Sequence, residues 1–165
     1  KSKGDYTFNL TLIDKNLEND VRTTLSYVDE ALYGSLYRGA LVRIALSDMD
    51  WRENGTLNIL DGRRYQYKGY KRGVAIEGSF AAYEFILEGL FRLKVGFDKG
   101  LIETGILMLT AQRSEKSSYG TSRELAENEI EQLYPTISMP VSIALFDLGS
   151  SELAEEDDAE ENEGG

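Results

Sequence analysis

The chain has 165 residues, 41% of them hydrophobic, which is enough for one globular domain with a real core. It contains no cysteine and no histidine, which excludes disulfides, thiolate nucleophiles, metal sites built on those residues and triads with a histidine base. Carboxylates, lysines, hydroxyls and a hard metal ion remain for chemistry. The lack of cysteine fits a reducing compartment or simple indifference to redox conditions, and we predict a cytoplasmic protein. No apolar run approaches the roughly 18 residues of a membrane-spanning helix, and we expect no membrane partner.

The net charge of −11 is concentrated at the end of the chain. Residues 151–165 carry eight of the 29 acids and no base, so 18 bases face 21 acids elsewhere and the net charge there is only −3. Such a segment cannot bury enough apolar surface to fold, and we predict a disordered acidic tail. The predicted organisation is one domain over residues 1–150, with a largely helical part over 1–50 and a core over 51–150.

The first 50 residues are predicted to form one strand and two helices. Residues 6–13 alternate apolar and polar side chains, which predicts a strand or an ordered arm. Residues 18–33 place apolar side chains at helical spacing, which predicts one stripe packed on the core. A second helix is predicted over residues 35–46, with three side chains turned inward: Tyr37, Leu41 and Ile44.

The next segment is predicted to contain a strand, a basic hairpin and a second strand. Residues 55–60 are expected to form the first strand. Residues 61–73 are predicted to form a short hairpin that interleaves tyrosines with five bases, a composition suited to a phosphate backbone or simply to a solvated surface. Residues 74–79 alternate in the period of a pleated strand, which places Glu77 at the exit of that strand. The five bases are Arg63, Arg64, Lys68, Lys71 and Arg72.

The remaining elements complete an α/β pattern. A helix is predicted over residues 81–94, ending before Gly96, with an inward face made of Tyr83, Ile86, Leu87, Leu90 and Phe91. Residues 101–110 form a nearly continuous apolar run, typical of a strand buried on both faces. A polar loop over 112–122 leads to a helix that ends near Pro135, with Thr121 and Glu124 as a capping box, and a last strand covers 141–146. The order of elements predicts an α/β layered domain.

The order and spacing of four features resemble type II restriction endonucleases of the BglII/BamHI kind, which have the PD-(D/E)XK nuclease fold. Trp51 follows the helical half, as a tryptophan does before the core sheet of that family. Residues 65–80 resemble its catalytic hairpin and glutamate-containing strand, and residues 105–109 resemble its next core strand. Ser117, Ser118 and Gly120 with Glu124 resemble the following loop and helix. The resemblance implies a three-layer core with a central mixed sheet flanked by helices.

The resemblance also implies a chemistry, namely Mg²⁺-dependent hydrolysis of phosphodiester bonds. Glu77 falls on the family's metal-binding glutamate. Lys68 stands where the family places an aspartate, and Ser79 stands at its third motif position. With the alternative spacing, Asp61 would be the first acid and second metal ligand, and Lys71 or Lys68 would supply positive charge. Glu84 and Glu88 are weaker substitutes for the missing acid.

Two functions follow from these residues. The first is a site-specific endonuclease that cuts double-stranded DNA as a homodimer, since a symmetric site calls for two-fold symmetry, in a restriction-modification setting. The second is a nuclease-fold protein that has lost metal chemistry and binds DNA or another partner. Glu77 paired with Lys71 or Arg72, and Asp61-Gly62 as an ordinary turn, are the structural alternatives. The predicted DNA-contacting residues are Arg63, Arg64, Lys68, Arg72, Arg113, Ser117 and Ser118.

Overall fold

The computed structural model of the protein describes residues 5–7, 15–78, 80, 86–112 and 120–149. These contain nine elements of secondary structure, in chain order β1 (Asp5–Thr7), α1 (Lys15–Leu32), α2 (Arg38–Asp48), β2 (Gly69–Lys71), β3 (Val74–Gly78), α3 (Ile86–Asp98), β4 (Thr104–Thr110), α4 (Arg123–Gln132) and β5 (Val141–Phe146). No helix in this part of the chain is long and apolar enough to cross a membrane. The tail over 151–165 lies outside the described residues, so its predicted disorder and the domain limits stay predictions.

The five strands form one mixed sheet in the order β1-β5-β4-β3-β2. The three central strands are parallel, and the two edge strands are antiparallel to their neighbours. Every residue of β3 and β4 is buried, as expected for parallel strands covered on both faces. From the order strand, helix, strand we predict that these two strands are adjacent with the helix packed on them, and the structure confirms it.

Helices cover both faces of the sheet because alternate strand residues point to opposite sides. Val74 and Ile76 of β3 pack with α1 and α2 in one apolar core. Ala75 packs with α3 and α4 in a second core on the other side. The domain therefore has three layers, and Glu77, which shares the side of Ala75, faces α3.

Three glycines leave room for side chains where α3 packs on the sheet and on Tyr67. A Cβ on Gly89 would come within 2.7 Å of Leu107 Cδ1, and one on Gly105 of β4 would come within 2.7 Å of Leu93. A Cβ on Gly96 would lie 1.4 Å from the hydroxyl oxygen of Tyr67. The prediction that Gly96 ends the helix was wrong, because this glycine makes room for Tyr67 while α3 continues to Asp98.

The predicted inward faces of two helices were partly wrong. In α2, Tyr37 and Ile44 are 66% and 55% exposed, and the helix buries a different set of residues: Arg38, Gly39, Val42, Ala45 and Leu46. In α3, Leu87 and Phe91 are each 56% exposed, while Ile86, Leu90 and Leu93 are buried. Both helices carry apolar residues around most of their circumference, so the pattern alone does not fix the buried face. Tyr83 lies outside the described residues.

Two hairpins replace the predicted strand over 55–60 and hairpin over 61–73. The first spans residues 57–67, joined by N–H to carbonyl bonds of 2.9 Å from Ile59 to Tyr65 and from Tyr67 to Leu57. We call it the basic hairpin, and its tip is residues 60–64. The second joins β2 to β3 through Arg72 and Gly73, whose φ angles of 47° and 85° suit a tight two-residue turn.

The first predicted strand and the predicted cap of the last helix also differ from the structure. β1 pairs with β5 and covers only the start of the strand predicted over 6–13, whose other residues lie outside the described part. Helix α4 is capped by Ser122, whose hydroxyl oxygen accepts a 3.2 Å hydrogen bond from the Leu125 N–H, rather than by Thr121. Thr121 instead bridges to Ala111 beside the end of β4.

Candidate functional site

The site centres on Glu77, near the carboxyl end of β3. Its side chain is only 1% exposed, and both carboxylate oxygens have donors. Oε1 accepts a 2.9 Å hydrogen bond from the backbone N–H of Lys68, and Oε2 lies 3.3 Å from Nη1 of Arg92 on α3. Glu77 is therefore a buried carboxylate held between the base of the basic hairpin and α3.

Arg92 is the cation of this site. Its Nη2 lies 3.1 Å from Oε1 of Glu88, one turn earlier on α3, and its guanidinium lies 5.1 Å from the ring centroid of Tyr65. The close approach of α3 at Gly89 brings this side chain to the sheet. Arg92 thus ties together three elements, namely β3, α3 and the basic hairpin.

The electrostatics of Glu77 combine burial with two nearby cations. Burial raises the pKa of this carboxyl, while the charges of Arg92 and Lys68 and the hydrogen bonds from both residues lower it, leaving the pKa above its usual range. Burial lowers the pKa of Arg92, but Glu77 and Glu88 more than reverse this and raise it. The guanidinium stays charged and compensates the carboxylate.

The other predicted ligand lies elsewhere. Asp61 is exposed at the tip of the basic hairpin, whereas the partners of Glu77 are Lys68 at its base and Arg92. Ser79 lies outside the described residues. Among the described residues, no three acidic side chains come together as a group that could hold a metal ion.

Mg²⁺ needs an octahedral shell of oxygens with a carboxylate oxygen at about 2.0–2.1 Å. Each oxygen of Glu77 already faces an N–H donor, and the side chain next to it is a cation. As arranged here, the residues around Glu77 do not fit a magnesium ion. Metal binding by Asp61 and Glu77 stays a prediction, and it would require displacing Arg92.

Lys71 lies on the opposite face of the sheet from Glu77. It pairs with Val74, so its side chain points toward α1. There its Nζ lies 2.6 Å from Asp20 Oδ2, 3.0 Å from the carbonyl oxygen of Met49 and 5.2 Å from the ring centroid of Trp51. The structure does not bring Lys71 and Glu77 together, and the contacts of Lys71 fasten the N-terminal helices to the core.

Sequence reasoning missed Arg92. The expected structural partners of Glu77 were Lys71 or Arg72, and the observed partner is Arg92. The spacing of four between Glu88 and Arg92 is visible in the sequence and predicts a helical ion pair. Nothing in that spacing predicts that the same guanidinium reaches a strand, because this contact depends on how α3 lies on the sheet.

Asp20 gives a pH-dependent prediction. Burial raises the pKa of this carboxyl, but hydrogen bonds from Lys71, Trp51 and Thr24 outweigh burial and lower it. A depressed folded-state pKa contributes stability above the unfolded pKa that is lost as pH falls through the folded pKa. Asp20→Asn should therefore lower the free energy of unfolding by about 1–2 kcal/mol at pH 7 and flatten its decline in acid.

Chemical denaturation of both proteins between pH 7 and pH 2 measures this. The matched control is Asp50→Asn, which also removes one negative charge but at an exposed position. Equal pH dependence for wild type and Asp20→Asn would contradict the assignment.

The predicted DNA-contacting residues fall into three groups. Arg63 and Arg64 are exposed at the tip of the basic hairpin, and no acid pairs with them among the described residues. Arg72 is exposed in the β2–β3 turn, and Lys68 is half-buried beside Glu77. The other three, Arg113, Ser117 and Ser118, lie outside the described residues.

The β2–β3 turn with Arg72 lies where β3 begins, whereas Glu77 lies near the carboxyl end of that strand. Gly78 pairs with Met108 in parallel, so β3 and β4 end on the same side, where Glu77 lies. Gln112 and Thr121 meet beyond the end of β4, since Gln112 N–H donates to the Thr121 carbonyl at 2.7 Å. In α/β sheets, ligands bind outside the carboxyl ends of parallel strands.

Comparisons with known proteins bear on the fold. No family model matches this chain, and no curated protein matches it. Among solved structures, the crystal structure of restriction endonuclease BglII complexed with a DNA 16-mer is 15% identical, covers 91% of this chain and 79% of its own, and has a TM-score of 0.63. Free BglII is 17% identical, with 92% and 82% covered and a TM-score of 0.57. At this identity the likeness concerns the fold, and the chain has the restriction-endonuclease-like fold, a mixed sheet flanked by helices, that its sequence predicts.

Proposed function

We propose that this protein binds double-stranded DNA at the sheet edge that carries the basic hairpin and Glu77. One observation carries the proposal: Arg63 and Arg64 project from the hairpin tip with no acid partner among the described residues. Free arginines on a projecting hairpin suit phosphate contacts. The matching BglII structure that contains DNA supports the same class of partner.

The basic hairpin is anchored well enough to hold its tip in place. Leu57, Ile59 and Tyr67 are 7%, 2% and 2% exposed and belong to the core under α3. Tyr65, which also belongs to the basic hairpin, contacts the Arg92 guanidinium of α3. A preorganised contact surface loses less conformational entropy on binding than a free loop does.

We further propose that the protein binds DNA without metal-dependent cleavage. The specific observation is the ion pair of Glu77 with Arg92, together with the charge of Lys68, which also lowers the pKa of this carboxyl. Both put positive charge where the resemblance implies a divalent metal.

A second candidate function is a Mg²⁺-dependent, site-specific endonuclease of the BglII/BamHI kind that acts as a homodimer. It is favoured by the position of Glu77, which lies near the carboxyl end of β3 beside β4. In that case Arg92 has to leave Glu77, and an acid such as Asp61 has to reach it.

One pair of measurements separates the candidates. Fluorescence anisotropy with mixed-sequence duplex DNA in EDTA at low salt should show binding by the wild type and by Glu77→Gln alike. Incubation of both proteins with genomic DNA and Mg²⁺ should leave the DNA uncut.

Cleavage by the wild type that Glu77→Gln abolishes would establish the endonuclease instead. Absence of binding to any duplex at low salt would contradict the proposal altogether.

A further inference from the structure

The Arg92 guanidinium occupies the space between two carboxylates that come from different elements. Glu77 Oε2 lies 3.3 Å from Nη1, and Glu88 Oε1 lies 3.1 Å from Nη2. The Glu77 side chain is 1% exposed, whereas that of Glu88 is 60% exposed and free to adjust. The Tyr65 ring contacts the same guanidinium and limits the directions in which it can move.

A divalent ion and this guanidinium compete for Glu77. A magnesium ion bound to Oε2 would sit about 2.0–2.1 Å from that oxygen, and Arg92 Nη1 lies 3.3 Å from the same oxygen. Two positive charges beside one almost fully buried carboxylate repel each other strongly at low dielectric. Arg92 therefore opposes the binding of a divalent ion at Glu77.

A nearby cation also stabilises the ionised form of this buried carboxyl. An ionised carboxylate without a partner in the protein interior is very costly. Arg92 meets that need from within the chain, whereas a metal ion would meet it only when bound.

We infer that Arg92 is a built-in cation that takes the place of a divalent metal at Glu77, and that removing its charge opens a divalent-cation site between Glu77 and Glu88. This goes beyond DNA binding, because it concerns the cation held by the chain itself. We expect the wild-type protein to hold no divalent ion at Glu77 near neutral pH.

Mn²⁺ is the probe, and electron paramagnetic resonance of free Mn²⁺ gives the number of ions bound. The full chain carries eight acids in residues 151–165, which bind cations weakly. The change in Mn²⁺ binding caused by Glu77→Gln separates a site at Glu77 from this background. Wild type and Glu77→Gln should bind Mn²⁺ alike. Arg92→Ala should gain one site at least 10-fold tighter than the background, and Arg92→Ala/Glu77→Gln should lose it.

Arg92→Gln serves as a second variant, because it removes the charge while keeping an amide that can still donate to Glu77. Circular dichroism checks that each variant is folded, and if Arg92→Ala unfolds, the Gln variant carries the test. A wild-type site that Glu77→Gln abolishes would overturn the inference, and so would folded charge-removed variants with no new site. The assay contains no DNA, so its failure is distinguishable from failure of DNA binding.

Discussion

Replacing Arg63 and Arg64 together with alanine should weaken binding to duplex DNA about 10- to 100-fold at low salt. Each arginine that neutralises a phosphate releases condensed counterions, with a salt slope of about 0.9 per contact. The plot of log Kd against log salt should therefore become shallower by about 1.8. Fluorescence anisotropy over a series of salt concentrations measures both quantities.

The matched control is the double variant Arg22→Ala/Lys99→Ala. It removes the same charge from two exposed positions outside the basic hairpin. If it shows the same loss of affinity and slope as the hairpin variant, the effect reports net charge alone. An unchanged salt slope in the hairpin variant would show that the tip does not touch DNA.

Replacing Gly96 with alanine should lower the free energy of unfolding by about 2–3 kcal/mol, although alanine is the better helix former. The added Cβ would lie 1.4 Å from the Tyr67 hydroxyl oxygen and 2.7 Å from its Cζ. Tyr67 is 2% exposed, so it cannot move aside without disturbing the core and the hairpin above it. Urea denaturation measures the change.

A double-mutant cycle with Tyr67→Phe supplies the control. The Tyr67 hydroxyl is buried and has no hydrogen-bond partner among the described residues, so its removal alone should be neutral or slightly stabilising. In the Gly96→Ala background the same change removes the closest overlap and should restore about 1 kcal/mol. Strictly additive effects would mean that Gly96 and Tyr67 do not interact in this way.

The sequence by itself determined the layered α/β fold. The apolar run that became β4 and the alternating run that became β3 were long and consistent enough to identify both strands, and the structure shows that they pair in parallel. The period of two also placed Glu77 at the strand exit, where it is found. These predictions succeeded because strand burial follows directly from the period of the side chains.

The buried faces of the helices were less predictable. In α3, Leu87 and Phe91 are as apolar as Ile86 and Leu90, so the stripe has no unique direction. The deciding residue is Gly89, whose missing side chain lets the helix approach Leu107. In a sequence, a glycine suggests the end of a helix. Only the packed structure shows that Gly89 lies at the contact between α3 and the sheet.

The composition of the site was decided by tertiary structure alone. The register of β2 against β3 places Lys71 next to Asp20 on one face of the sheet, while Glu77 faces α3 on the other. The resemblance in sequence assigned Glu77 a metal ion, which stays a prediction, and the approach of α3 places Arg92 beside this carboxylate. Local spacing fixes which residues share a helix or strand. Which of them meet across layers depends on strand register and on the distance between layers. Neither can be inferred from individual residue types.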